Sequence, residues 1–225
     1  MRNNNIINFN EWKKSKENYM STNKKESKDI NPEKKKEIEK EVDKIICNGA
    51  FKNGPTIDIV ELVKSKGFLL MKADLPIEVT GYLVVNENNC IDKEKKYKKM
   101  IVVNSEFTNR NNESHIILKK SRFVTAHEYG HYILHKKTNE SLYAHRDIEH
   151  QTSPKELEAD YFARSLLMPG REFLKINEII DETLKDEAGY KPEMKLKILS
   201  ELFNVTLNKA KMRLGDIGVL ASIVS

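Results

Sequence analysis

The chain has 225 residues, 39% of them hydrophobic and 32% charged, with a formal net charge of +5. That is enough apolar material for one sizeable core, and the charge is too small for a nucleic-acid footprint: residues 1–40 carry eleven Lys/Arg against seven Asp/Glu, and the rest is close to neutral. Two separated cysteines, Cys47 and Cys90, exclude a disulfide framework, and no run approaches the ~18 apolar residues of a membrane span or forms the core of a signal peptide, so a cytoplasmic protein is expected.

Residues 1–30 read as a polar arm anchored only by Phe9, Trp12 and Tyr19, with Ser21–Asp29 as a flexible link. A helix then opens on Asn31 as N-cap, Pro32 at the first position and Glu33 in the first turn. Ile38, Val42, Ile45 and Ile46 form its stripe, and Gly49 ends it. A second helix is expected near Ile57–Lys66, stopping at Gly67. Phe68–Lys72, Gly81–Val85 and Met100–Asn104 are β-branched or apolar runs of strand length. The Lys-rich segment Ile91–Lys99 between the last two reads as a hairpin tip or surface loop.

Phe123–His135 follows, and it contains His127-Glu128-Tyr129-Gly130-His131, an H-E-x-x-H pattern. On a helix of ~100° per residue, imidazoles four apart share a face and can grip one ion. Phe123, Gly130 and Leu134 continue that face, so it turns inward. Glu128 is one step aside, where a carboxylate can take a proton from water activated by the ion. His135 lies ~12 Å along the axis from His127, too far to share an ion bound at ~2 Å. Gly130 inside a helix costs ~1 kcal/mol relative to Ala, which close approach of a neighbouring segment would explain.

A polar loop is expected over Lys136–Thr152, bearing Tyr143, His145 and His150. These three are candidate stabilisers of an oxyanion, against a plainer reading as exposed loop residues. Ser153-Pro154 then starts another helix, which Pro169-Gly170 stops. Glu156, Asp160, Ala163 and Leu167 form one stripe. Glu156 is the candidate third ligand of a His-His-Glu site, and Asp160, one turn on, can accept the second N–H of a liganding imidazole. Glu158 points ~200° away from Glu156, a solvated position and the second choice for ligand.

These residues, His127–His135 followed by Glu156–Pro169, resemble the ImmA/IrrE metallo-endopeptidases. Gly81–Val85, Ile101–Ser105 and Arg122–Ala126 support the likeness, which spans roughly residues 35–220. The resemblance implies an α+β, zincin-like fold with a small mixed sheet. It implies Zn2+ held by His127, His131 and Glu156, as in a gluzincin-type endopeptidase, with Glu128 as base. It further implies a bacterial regulatory protease whose protein substrate is a helix-turn-helix repressor of a mobile element or stress response.

Met194–Gly215 reads as two helices around a tight Phe203–Thr206 turn, a helix-turn-helix-like spacing with Thr206 as N-cap. Contact with DNA through Lys209, Lys211 and Arg213 is one reading, and packing against the protease is preferred to it, because so few cations mark the second helix. The expected organisation is an arm (1–30), a zincin-like domain (31–175) and a C-terminal helical region packed on it (176–225). The alternative function is a DNA- or repressor-binding regulator with a non-catalytic zinc site. No oligomeric state is set by the sequence.

Overall fold

The computed structural model describes residues 29–47, 52–76, 78–86, 97–105, 114–136, 142–147, 153–185 and 192–224, the side chains of 52–53, 114, 142–147, 219 and 222–224 excepted. Residues 1–28 of the expected arm (1–30), Gly49, Cys90, residues 91–96 of the Lys-rich segment and His150 lie outside them. Among these residues, eight helices and six strands follow in the order α1 (Pro32–Cys47), β1 (Lys52–Asn53), β2 (Thr56–Ile57), α2 (Ile59–Ser65), β3 (Phe68–Ala73), β4 (Val79–Val85), β5 (Lys99–Asn104), α3 (Ser114–His135), β6 (Leu142–Asp147), α4 (Pro154–Leu167), α5 (Gly170–Leu184), α6 (Pro192–Leu202), α7 (Leu207–Gly215) and α8 (Ile217–Val224).

Local chemistry sets most boundaries. Asn31 accepts from the Glu33 N–H at 2.8 Å to open α1, and Ser153 accepts from the Glu156 N–H at 3.3 Å to open α4 with Pro154 at its start. The second helix begins later than its apolar pattern suggests. Thr56 and Ile57 pair with Asn53 and Lys52 in a short antiparallel ribbon, and Asp58 caps α2 instead.

The main sheet runs β3-β5-β4-β6, with β3 parallel to β5 and the other pairs antiparallel. Such a mixed α+β architecture fits a zincin-like fold. β4 and β5 pair in register from Val85↔Lys99 to Gly81↔Val103, the geometry of a hairpin. Successive residues alternate faces: Leu83, Val85, Ile101 and Val103 join the main core, while Val84, Met100 and Val102 form a smaller cluster on the other face.

One expectation is corrected. The stretch 136–152 was expected to be a loop, yet Leu142–Asp147 is strand β6, paired with β4 from Val85↔Leu142 to Val79↔Asp147 across an irregularity between Val79 and Gly81. Its sequence has no β-branched run, so pairing with β4 rather than local propensity makes it a strand. Among the described residues, the outer strands of this sheet are therefore β3 and β6.

The sheet packs against α3, α4 lies along α3, and α1 packs on α4. The helix α5 spans residues 175 and 176. Arg213 of α7 is fully buried (0% exposed). Its guanidinium bonds Glu39 of α1 at 2.6 and 3.1 Å, the Ser165 hydroxyl at 3.1 Å and the Met168 carbonyl at 3.0 Å. Among the described residues no helix is long and apolar enough to cross a membrane.

Candidate metal centre

Helices α3 and α4 pass close together at Gly130. A Cβ there would stand 2.9 Å from Phe162 Cδ1 and 3.4 Å from Ala159 Cα. The glycine inside a helix is thus explained by helix–helix approach, and that approach brings Glu156 within reach of both imidazoles. A second close passage occurs at Gly81, where a Cβ would lie 2.5 Å from Val124 Cγ1 and 3.6 Å from Glu128 Oε1. There β4 runs directly over the α3 turn that carries Glu128.

His127 Nε2 lies 3.0 Å from Glu156 Oε2 and 3.1 Å from His131 Nε2, and His131 Nε2 lies 3.0 Å from Glu156 Oε1. These donor atoms all fall within 4.8 Å of one another, and all three residues are buried. On its other side His127 Nδ1 is 3.1 Å from Asp160 Oδ1. A carboxylate only accepts, so Nδ1–H donates to Asp160 and Nε2 presents a lone pair. That lone pair faces a carboxylate oxygen and a second imidazole nitrogen. Three acceptors converging in a buried space are mutually unfavourable without a cation. Tetrahedral ligands ~2.0–2.1 Å from zinc stand about 3.3 Å apart, close to the spacing here. The donor set therefore fits a divalent metal ion of the kind bound by nitrogen and oxygen.

The electrostatics agree. Burial pushes the His131 pKa down to about 4, against the opposing pull of Glu156, so this imidazole is neutral at pH 7. Burial raises the Glu156 pKa, but the His127 and His131 ring nitrogens, each 3.0 Å from one of its oxygens, outweigh it and hold the group below the usual carboxylate range. Glu128 is fully buried beside the cluster.

Asp160 is itself held, its Oδ2 accepting from Lys209 Nζ at 2.7 Å. The Lys209 ammonium also sits 3.8 Å from the centroid of the Phe123 ring. With Arg213 in the core and Lys209 on Asp160, two of the three cations considered for DNA contact are engaged inside the protein. Glu158 is not the solvated carboxylate that the helical wheel suggests. Its side chain is 22% exposed, and Oε2 lies 3.1 Å from His135 Nε2. His135 Nδ1 is in turn 3.0 Å from His131 Nδ1. The four-residue spacing of His131 and His135 signals that contact, whereas nothing in the sequence joins Lys209 to Asp160.

Tyr143 and His145 belong to β6, opposite Val84 and Tyr82 in register. They are strand residues rather than loop residues, and His150 lies outside the described residues. A cleft of about 600 Å3 opens one turn before His127, lined by Thr80, Phe123 and Val124 on one side and Leu207, Asn208 and Lys209 on the other.

A mixed α+β domain whose buried His-His-Glu cluster is built on two packed helices belongs to the metallopeptidase type. The sequence pattern of a peptidase family, described as the IrrE N-terminal-like domain, matches residues 90–215, more than half of the chain. The chain belongs to that family. No curated protein matches it.

Proposed function

We propose that this protein is a zinc-dependent endopeptidase of the gluzincin type that cuts a helix-turn-helix transcriptional repressor in the bacterial cytoplasm, relieving repression of a mobile element or stress response. The convergence of His127 Nε2, His131 Nε2 and the Glu156 carboxylate carries the reading, and family membership supports the peptidase chemistry. The repressor as substrate rests on the resemblance of the His127–His135 and Glu156–Pro169 stretches.

Those three side chains would hold the ion, with Asp160 fixing the His127 tautomer. Zinc, when bound, polarises the scissile carbonyl and lowers the pKa of water to about 7. The Glu128 carboxylate takes the proton from the attacking water and hands it to the departing amine nitrogen. Burial around Glu128 excludes competing solvent. β6 is the outer strand among the described residues, and its edge can pair with an extended substrate backbone, while the cleft beside Phe123 and Val124 has room for the side chains that follow. Tyr143 and His145, on that edge strand, and His150 remain the candidate oxyanion donors. The helix-turn-helix-like pair α6–α7 serves the protease as a wall of that cleft. Lys209 and Arg213, turned inward, favour this over DNA binding.

The test is incubation of purified protein with the repressor encoded beside its gene, with and without a chelator. We expect one discrete cut that the chelator abolishes. Glu128→Gln should keep stoichiometric metal and lose at least 100-fold in rate. Full activity in that variant would remove Glu128 as base. Capture of the repressor without cleavage, or steeply salt-dependent binding to operator DNA, would favour the non-catalytic regulator instead.

A further inference from the structure

The two imidazoles at the centre are supported differently. His127 rests directly on a carboxylate, Asp160. His131 rests on another histidine, His135, which in turn rests on Glu158. We propose that His135 and Glu158 are positioning residues that act as one relay, setting the tautomer and ring angle of His131 for metal binding. This rests on the metal-centre reading above.

With the His131 Nε2 lone pair given to the ion, the hydrogen bonds along the relay run in one direction. Glu158 carries no proton to give, so His135 Nε2–H donates to it across 3.1 Å. The 3.0 Å contact between the two Nδ1 atoms needs one hydrogen, which a ligating His131 carries on Nδ1 and donates to His135 Nδ1. His131 is thereby fixed as the Nδ1–H tautomer, with its Nε2 lone pair aimed at His127 Nε2 and Glu156. That is the form in which an imidazole ligates. The opposite tautomer would put an N–H into the cluster and leave two lone pairs facing each other at Nδ1.

Helical spacing builds the relay cheaply. His127, His131 and His135 follow at four-residue intervals, so the His135 ring packs over that of His131, centroid to centroid 5.2 Å. The first two turns of α4 then serve the whole centre: Glu156 faces both ring nitrogens, Glu158 holds His135, and Asp160 holds His127. The third histidine, out of reach as a ligand, thus gains a role.

Metal dissociation constants, measured by competition with a chromophoric chelator, test the relay on the full chain. The visible spectrum of the Co2+-loaded protein gives a second readout, sensitive to ring angle. His135→Leu should weaken Zn2+ binding about 10- to 100-fold and shift the Co2+ bands. His135→Gln, whose amide can accept from His131 and donate to Glu158, should restore most of both. Glu158→Ala should resemble His135→Leu, and the double variant should lose no more than either single one, because the two act in series. If His135→Leu does not fold by circular dichroism, Glu158→Ala decides alone. Parent-like affinity and spectrum in the decisive variant, or losses that add in the double variant, would overturn the relay. His131→Ala and Glu156→Ala separate this from the underlying reading. Loss of stoichiometric metal in both, with His135→Leu unaffected, sinks only the relay; a parent that holds no divalent metal sinks the centre and the relay together.

Discussion

Gly130 shows at the residue scale how a single missing methyl can serve a reaction centre. In an isolated helix, Gly130→Ala would gain ~1 kcal/mol from propensity. Here the new Cβ would meet the Phe162 ring at 2.9 Å and the α4 backbone at Ala159. Overpacking of this kind costs about 1–3 kcal/mol and offsets the gain. The variant should have a lower thermal midpoint, and its metal affinity should fall because α4 is pushed away with Glu156. A midpoint above the parent's would show that the helices have slack at this crossing. The ligand spacing and the reason for this glycine were legible, since four-residue intervals on one helix are a local property. The solvated placement of Glu158 was a misreading: a helical wheel gives the direction of Cβ, whereas a long side chain bends towards a partner the wheel does not contain.

The elements are held in place by side chains that cap backbone groups across the chain. Arg122, one turn before the first histidine, donates to the carbonyls of Phe203 and Asn204 at 3.3 and 2.6 Å, and to Thr56 Oγ1 and the Ile57 carbonyl at 2.9 and 2.8 Å. One guanidinium therefore joins α3 to the β2 strand and to the α6–α7 turn, where Asn204 adopts a left-handed φ of 50°. Asn104 does similar service at the end of β5, its amide meeting the Leu75, Pro76 and Val79 carbonyls of the segment that leads into β4. Arg122→Ala should cost about 1.5–3 kcal/mol in denaturant unfolding. Arg122→Lys should recover only part of it, because an ammonium cannot span both sets of acceptors. Equal stability of the Ala variant would mean that water replaces every one of these bonds. Helices with caps and stripes, such as α1 and α4, could be read from the sequence, but β6 could not. Leu142–Asp147 carries no strand signal of its own, and its state is decided by β4, some sixty residues earlier.

At the scale of the whole molecule, the buried pair Glu39–Arg213 links α1 and α7. Burial raises the Glu39 pKa, but the charge and hydrogen bonds of Arg213 outweigh it, so the folded value lies below the ordinary 4.5. A carboxylate depressed on folding stabilises the native state above its unfolded pKa and loses that contribution as pH falls through the folded value. Glu39→Gln should therefore cost about 3–5 kcal/mol at pH 7, where Arg213 is left buried and uncompensated. The gap between parent and variant should narrow below pH 4.5 in urea midpoints taken across pH. A gap independent of pH would mean that Glu39 does not ionise in the fold. Nothing in the sequence marks this pair, because its partners lie 174 residues apart and each alone reads as an ordinary surface charge.

That separation also fixes when the peptidase can come into being during synthesis. Lys209 and Arg213, which brace Asp160 and join α1 to α7, are among the last described residues to leave the ribosome. A nascent chain that has already exposed both ligand helices still lacks the brace behind His127 and the cation that neutralises Glu39. Contacts so distant in sequence form late and slowly. The centre is thus braced only after the chain has been made as far as α7, well after both helices that carry the His-His-Glu cluster.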